Sequence, residues 1–301
     1  MGFMEFIRPG LLIDFMKIRH YAYAASATIL GVCLVSIIFQ GLNYGIDFTG
    51  GTEVQVVFKT KVITEDVRKA MKNAGFEAVR IQTMGGYQEN EFLIRLPKMN
   101  TSGKDMTVQV AAALSGAFGK DKVEIRRAEM VGSEVSQDLK QKGFLSLLYA
   151  GIALLIYIWV RFQLSYSIGA ILAIVHDVIV TVGAFSLTGR EVSLTVIAAV
   201  LTIIGYSLND TIVIFDRIRE NIKKATGTVD ITTVVNESVS QTLGRTILTS
   251  LTVFIVVMCL FLIGGSVIND FAFAMIIGVV SGSYSTIFIA SPIMVFFNKK
   301  K

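Results

Sequence analysis

Long apolar runs separated by shorter polar segments dominate the chain. Six of these runs carry almost no charge over about the 20 residues that a helix needs to cross the hydrocarbon of a membrane. The runs cover 21–39, 143–160, 165–187, 192–215, 246–264 and 271–297. Runs of this length and number predict six transmembrane helices rather than the core of a soluble domain.

The segment from Asn43 to about Lys142 has a different pattern, with many charges of both signs. Partial alternation over 52–58 predicts a strand. A helix should follow, with Thr64 as its N-cap and Gly75 at its end. Its apolar residues fall on one face, and they are Val67, Ala70, Met71 and Ala74.

The remainder of this segment predicts two strands over 77–83 and 91–97, joined by the glycine-bearing loop 84–90. A second helix over 104–119 and a last strand over 122–130 follow. The apolar side of that helix comprises Met106, Val110, Ala113, Leu114 and Ala117. The order β-α-β-β-α-β is that of a ferredoxin-like split βαβ domain. The fold alone identifies no ligand, and a spacer or docking module is an equal alternative.

The predicted fold class is therefore a membrane protein of six transmembrane α-helices with an α+β ferredoxin-like domain between helices 1 and 2. We expect the following organisation: a cytoplasmic segment 1–20, helix 1 over 21–40, the exported domain over 41–142, helices 2–6 over 143–297 with a cytoplasmic loop at about 216–245, and a basic tail 298–301.

Charge sets the expected orientation. Lysine and arginine concentrate before the first run, after the fourth run and in the tail, whereas the short loops of the other side have only Arg190. The positive-inside rule then places both termini in the cytoplasm and the folded domain outside it. The net charge of +5 reflects this topology, since no basic stripe with interleaved aromatics suggests nucleic-acid binding.

Several chemistries lack support. Cys33 and Cys259 both lie inside apolar runs, which favours buried thiols over a disulfide, zinc or haem site. No phosphate-binding glycine loop is present, so we expect no ATP hydrolysis and no cofactor. The first run lacks a small-x-small cleavage site in its flank "QGLNYGIDF", which favours a retained anchor.

Asp210 stands out in the fourth run, within "IIGYSLNDTIVIFDRIREN" (203–221). A polar group in hydrocarbon costs several kcal/mol unless it is compensated. Asp210 should lie about 5–10 Å inside the cytoplasmic end of its span. Ser207 and Asn209 are nearby polar groups, although Asn209 projects about 100° away from Asp210.

His176 and Asp177 lie near the middle of the third run. A histidine beside an aspartate deep in a bundle fits a proton relay, and it fits equally a polar contact that fastens two helices. Because consecutive helical residues point in different directions, we expect the two side chains to need separate partners. Asp177 is the preferred participant of the two.

Four motifs occur in order: "GIDFTGG" (45–51), "VHD" (175–177), "GYSLNDTIVIFDRIREN" (205–221) and "SVSQTLGRTILTSLT" (238–252). Together with six runs and one intervening domain, they resemble the SecD/SecF family of the RND transporter superfamily, and in size its stand-alone SecF branch. The resemblance implies an RND-like half bundle, completed by the six related spans of SecD.

The resemblance also implies a function. Such a pair associates with the SecYEG channel and uses the proton motive force to draw preproteins across the bacterial inner membrane after the SecA-driven step. Further implied contacts are YajC, YidC and membrane lipid, without nucleic acid. Protons are the implied coupling ion, with sodium as an alternative.

The family's proton path maps onto the aspartate of "ND" and the arginine of "GRT", which are Asp210 and Arg245 here, with a partner aspartate from SecD. Loss of an Asp–Arg ion pair on protonation would let helices repack. From the residues alone, Arg245 fits an interfacial snorkelling side chain equally well.

Other motif residues have expected roles. The fourth-span motif contributes Gly205, Asn209, Asp216 and Arg217. We expect Asp216 and Arg217 to form a solvated helical exit from the membrane. Gly50 and Gly51 should adopt unusual dihedrals where the chain enters the first strand, and Asp47 should cap or pin that junction.

Three alternatives stay open. A passive scaffold between SecD and the channel predicts that isosteric loss of the Asp210 charge is tolerated. An intramembrane aspartyl protease would use Asp177 and Asp210, but the chain has "VHD" and "SLND" instead of that class's Y-D and G-x-G-D. An RND exporter of small molecules would need a second set of spans and a second large loop.

Overall fold

The computed structural model describes residues 12–77, 79–83, 90–96, 103–162, 164–225 and 230–298. The chain divides into a helical unit, built mainly from the segments before Tyr44 and after Leu145, and a sheet-containing unit over Tyr44–Leu145.

Six helices are long and apolar enough to cross a membrane, which confirms the predicted number. These are α1 (Arg19–Phe39), α5 (Ser133–Arg161), α6 (Leu164–Thr188), α7 (Leu194–Lys224), α8 (Ile231–Ile263) and a last span formed by α9 (Ser266–Ser285), a π-helical turn (Thr286–Ala290) and α10 (Ser291–Asn298). A two-residue strand, β6 (Glu191–Val192), precedes α7.

The polar segment 216–245, predicted as a cytoplasmic loop, is helical at both ends, because α7 continues to Lys224 and α8 begins at Ile231. Hydropathy detects only the apolar part of a helix, whereas Ile218, Val235 and Val239 continue a buried stripe through the charged part. Asp230 caps α8 by accepting the Thr232 backbone N–H at 3.3 Å. This hydrogen bond holds the pKa of Asp230 below its ordinary value.

The π-helical turn in the last span has a local cause. Pro292 has no N–H to donate to the preceding turn, and its ring crowds the carbonyl four residues earlier. The Ser291 backbone N–H bonds instead to the Thr286 carbonyl, and the Ser291 hydroxyl donates to the same oxygen at 2.9 Å. The widened turn lies against α6, where a Cβ on Gly169 would meet the Ala290 oxygen at 2.5 Å.

The segment before α1 is anchored to α8. Asn236 accepts the Met16 N–H at 3.0 Å and donates to Asp14 at 2.7 Å, while Ser240 accepts the Ile13 N–H at 3.2 Å. Met16 is buried in the core of the bundle. The described end of the predicted cytoplasmic segment is therefore packed structure, and residues 1–11 lie outside the described part of the chain.

The other end of the helical unit is tied by Arg190. Its guanidinium contacts Asp270 at 2.5 Å and Asn269 at 2.7 Å, and it lies over the Phe273 ring at 4.5 Å from the ring centre. A cation on an aromatic face gains attraction that increases when both groups are partly desolvated. The loop before α7 is thereby joined to the start of the last span.

The short strand β1 (Asn43–Tyr44) lies at the boundary of the two units. The elements of the sheet-containing unit that follow it are α2 (Ile46–Thr49), β2 (Gly51–Phe58), α3 (Thr64–Asn73), β3 (Arg80–Thr83), β4 (Glu91–Leu96), α4 (Gly103–Phe118), a 3₁₀ turn (Lys120–Lys122) and β5 (Val123–Val131). The sheet order is β3-β4-β2-β5 with antiparallel neighbours, which is the ferredoxin-like arrangement predicted. Its core contains Val54, Val56, Phe58, Val67, Met71, Phe92, Ile94, Val110 and Leu114.

Local details of this unit differ from the prediction. Thr64 is the first helical residue of α3 rather than its cap, since Ile63 occupies the cap without a side-chain hydrogen bond. Gly75 does end the helix at φ +89°, and the Phe76 N–H reaches back to the Met71 carbonyl at 3.0 Å. Most of the predicted hairpin loop, 84–89, lies outside the described residues.

The predicted apolar faces hold except at the helix ends. Ala74 and Ala117 are exposed because each lies at or beside the last turn of its helix, away from the sheet.

One cysteine also differs from the prediction. Cys33 is buried on α1 against Gly183 of α6, whereas Cys259 is exposed on α8.

Gly169→Ala should lower the stability of the bundle. The added methyl would meet the backbone of the π-helical turn, and overpacking of this kind costs about 1–3 kcal/mol. Thermal unfolding of the detergent-solubilised protein measures the loss. Gly205→Ala is the control, because a Cβ at Gly205 meets no atom within 4 Å. Equal melting temperatures for the two variants would contradict the close contact.

Candidate functional site

Asp177 lies at the middle of α6 with 1% of its surface exposed, and both of its oxygens are fully engaged. Oδ2 accepts the hydroxyls of Ser207 on α7 and Ser285 on α9, each at 2.7 Å. Oδ1 accepts the Ser281 hydroxyl on α9 at 2.6 Å and lies 3.1 Å from Nδ1 of His176. Four contacts match the accepting capacity of a carboxylate. Asp177 thereby ties three spans together.

The contact between His176 and Asp177 corrects a prediction. We expected consecutive residues to need separate partners, but both side chains reach Ser281, and the imidazole also meets the neighbouring carboxylate. The 100° step separates the Cβ atoms only, and longer side chains can converge beyond it. Nε2 of His176 is buried and has no hydrogen-bond partner among the described residues.

Asp210 is 3% exposed and has a much sparser environment. Its one hydrogen bond among the described residues comes from the Ser250 hydroxyl of α8, at the long distance of 3.4 Å. Ser250 is also 2.7 Å from Ser283 on α9. Asp210 lies near the middle of α7, about 21 Å from the helix end at Lys224, because α7 continues beyond its apolar part. The expected depth of Asp210 inside the cytoplasmic end of the span stays a prediction.

Arg245 does not pair with Asp210 in the described structure. It precedes Ser250 by five residues, which corresponds to about 140° of rotation around α8. Arg245 also lies one turn before Thr249, whose hydroxyl is close to Asp210. Arg245 is exposed and makes no direct ion pair with Asp210 among the described residues, but its charge acts on the Asp210 carboxylate. Arg245 is also not at the end of a loop, because it lies near the middle of the helix Ile231–Ile263.

The fourth-span motif divides between two faces of α7. Ser207, Asp210 and Thr211 are buried, whereas Gly205 and Asn209 are exposed on the opposite side. This agrees with the predicted divergence of Asn209 from Asp210. The exposed polar face lies on a helix that is otherwise suited to lipid.

Asp216 and Arg217 are half-buried residues of α7 beyond its apolar part. The Asp216 carboxylate pairs with Arg161 of α5 at 3.2 Å, and Arg217 pairs with Glu220 at 2.8 Å. The predicted helical exit is thus present, with ion pairs that, at this exposure, contribute little to stability.

The glycine motif at 45–51 has the predicted backbone role. Gly50 has φ +69° and Gly51 has φ +131°, conformations that favour glycine. Gly51 begins β2 opposite Val131, and Gly50 packs beside Ser136. Asp47 lies in the first turn of the short helix α2, where a carboxylate is favourable.

Sequence reasoning missed the hydroxyl groups that organise the site. They are Ser250, Ser281, Ser283, Ser285 and Thr286, whereas the sequence already indicates Ser207 as a polar neighbour of Asp210. The stretch "SGSYST" (281–286) was their available signal, because five hydroxyl-bearing side chains are unusual in a membrane helix. Spacing of four residues places Ser281 and Ser285 on the face that meets Asp177.

The two buried carboxylates do not form a shared pair. No hydrogen bond joins Asp177 to Asp210 in the described chain, although an aspartyl protease needs two carboxylates that share a proton. Among the described residues, no group of three or more His, Cys, Asp or Glu side chains is placed to hold a metal. The site therefore consists of two buried carboxylates, those of Asp177 and Asp210, that are held by different side chains.

Fold and site together define a class: a multi-pass membrane protein with a ferredoxin-like domain between its first two spans and buried carboxylates in its bundle. Two family models match the chain. "Protein export membrane protein SecD/SecF, C-terminal" covers residues 109–300, and "SecD/SecF GG Motif" covers residues 35–62.

Individual proteins give the same result. The chain is 42% identical to protein translocase subunit SecF of Desulfurispirillum indicum, over 96% of this chain and 92% of that protein. It is 45% identical to the subunit of the same name in Magnetococcus marinus, over 97% and 94%. The chain therefore belongs to the SecD/SecF family.

A solved structure resembles the whole chain. The crystal structure of SecDF, a translocon-associated membrane protein from Thermus, matches with a TM-score of 0.85 and 32% identity. The match covers 99% of this chain and 40% of the SecDF chain, so this chain corresponds to less than half of that protein.

Ser285→Ala should destabilise the bundle more than Ser283→Ala. The first change removes a donor from a buried carboxylate, and hydrogen bonds to charged groups contribute about 1.5–3 kcal/mol. The second removes a contact between two hydroxyls, for which about 0.5–1.5 kcal/mol is usual. Parallel melting curves of both variants test the order. A larger loss for Ser283→Ala would contradict the central place of Asp177.

Proposed function

We propose that the chain is an accessory subunit of the Sec protein translocase. Together with a SecD partner, it would use the proton motive force to promote preprotein movement through the SecYEG channel after the SecA-driven step. Family membership and the likeness to a translocon-associated SecDF support this proposal. YajC, YidC and surrounding lipid are further proposed contacts.

The observation that carries the proposal is the exposed polar face of α7 and α8. Asn209 and Arg245 are exposed on helices that are apolar enough to span a membrane. Charged and polar side chains in spans almost always face protein or a water-filled cavity, because exposure to hydrocarbon costs several kcal/mol. A second bundle that covers this face satisfies the requirement, and 60% of the SecDF chain lies beyond the matched 40%.

Asp210 is the proposed proton carrier on this side of the interface. It is buried beside the exposed polar face and has one long hydrogen bond, so protonation breaks few contacts. Asp177, with its oxygens saturated, would lose strong hydrogen bonds on protonation. Each charge that crosses 100 mV supplies about 2.3 kcal/mol, which is enough to shift a two-state bundle.

We also propose the location. The chain would lie in the bacterial cytoplasmic membrane, with both termini inside and the sheet-containing unit on the exported side. The positive-inside rule supports this orientation, since the described short loops on the exported side contain Arg190 as their basic residue and Arg190 is paired with Asp270.

Asp210→Asn should abolish the gradient-dependent part of export and leave the gradient-independent part. Asn keeps the size of the side chain and removes its titration. Export into vesicles that contain the SecD partner and channel, with and without an ionophore, measures this difference. Co-purification of SecD with the variant verifies that the complex assembles.

Asp216→Asn is the matched control. It makes the same chemical change on the same helix, but at a half-exposed residue paired with Arg161. Its gradient dependence should stay intact. If Asp210→Asn also keeps full gradient dependence in an assembled complex, the proton-carrier role fails and a passive scaffold is the better account.

A further inference from the structure

His176 is a buried titratable group of the helical unit that the proposed proton path does not explain. The residue is 4% exposed at the centre of α6. One ring nitrogen, Nδ1, lies 3.1 Å from Asp177, while the other, Nε2, is buried without a hydrogen-bond partner in the described part of the chain. Buried polar atoms without partners are rare and are concentrated where a protein stores strain or performs chemistry.

The hydrogen bonds of Asp177 determine which member of the pair can accept a proton. The hydroxyls of Ser207, Ser281 and Ser285 all donate to its oxygens, at 2.6–2.7 Å. A protonated carboxyl would have one fewer accepting position and would displace a donor. The imidazole has no such restriction, because Nε2 has no hydrogen-bond partner among the described residues.

We infer that His176 is a second proton-binding residue, distinct from Asp210, and that Asp177 remains ionised as its counter-ion. The neutral imidazole carries its hydrogen on Nδ1 and donates it to Asp177 Oδ1. A proton delivered by water then bonds to the Nε2 lone pair, which gives an imidazolium. The charge of the pair changes from −1 to 0, and no covalent bond of the protein breaks.

The groups around His176 are consistent with this chemistry. On α9, the Tyr284 ring lies 6.1 Å away between ring centres, and an aromatic face stabilises an adjacent cation. The Tyr284 hydroxyl is occupied elsewhere, since it donates to the Ala22 carbonyl at 2.8 Å and contacts Ser26 of α1 at 2.9 Å. On α7, the other buried carboxylate, Asp210, accepts its hydrogen bond from Ser250 of α8 and makes no hydrogen bond with His176 among the described residues.

The biological meaning of this inference rests on the proposed proton coupling. The experiment that tests it measures proton binding directly and does not depend on transport. The sequence contains two histidines, and the other, His20, is exposed on α1. A His20→Gln variant therefore leaves His176 as a single reporter. The experiment is ¹⁵N NMR of histidine-labelled His20→Gln protein, reconstituted with its SecD partner in lipid and titrated over about pH 5–8, where imidazoles ordinarily change charge.

The expected result is a Nδ1 resonance that stays protonated throughout and a Nε2 resonance that moves from an unprotonated to a protonated nitrogen as the pH falls. Asp177→Asn in the same background should remove the fixed tautomer, so that Nδ1 is no longer fully protonated at high pH. A Nε2 signal that never changes, or a neutral form protonated on Nε2, would overturn the inference.

Export measurements separate this inference from the proposed function. If His176 fails to titrate while Asp210→Asn loses gradient-dependent export, the inference is wrong and the proposed function stands. If His176 titrates as expected but Asp210→Asn exports normally, proton binding stands and the proposed path through Asp210 fails. His176→Gln, which can still donate to Asp177 but cannot take up a proton, should lose gradient dependence if the bound proton is used in transport.

Discussion

The burial of one carboxylate, that of Asp177, determines how the helical unit is built. In a membrane no water is available to satisfy it, so the protein must supply every hydrogen bond. Serines from α7 and α9 do so, and they reach Asp177 only because those helices approach closely. Small residues permit this approach: a Cβ at Gly278 would meet the Ile203 side chain at 2.3 Å, and one at Gly282 would meet Ser207 at 3.1 Å.

The same requirement leaves the other carboxylate available for function. Asp177 is saturated at the centre of three spans, whereas Asp210 has one long bond and lies beside the exposed polar side of α7 and α8. A fixed anion is suited to holding a bundle and a loosely held one to exchanging a proton. The two residues are both aspartates within apolar runs of the sequence. They are suited to different roles because the side chains around them differ.

Sequence patterns predicted most of the architecture. Apolar runs of sufficient length gave the six spans, and alternation and helical periodicity gave the ferredoxin-like order, because both signals are local. The helix ends were less accurate. Thr64 begins α3 rather than capping it, and α7 and α8 extend well into the supposed loop, since a buried stripe continues where mean hydropathy falls.

The sequence by itself determined which residues are unusual: Asp177, His176 and Asp210 inside apolar runs, and paired glycines where a strand begins. Only the tertiary structure decided what those residues touch. His176 meets Asp177, Arg245 acts on Asp210 through its charge without a direct ion pair, and Asp216 pairs with Arg161. The physical reason is that the rotation of each helix is fixed by its packing against helices that are distant in the chain, and no local period specifies that rotation.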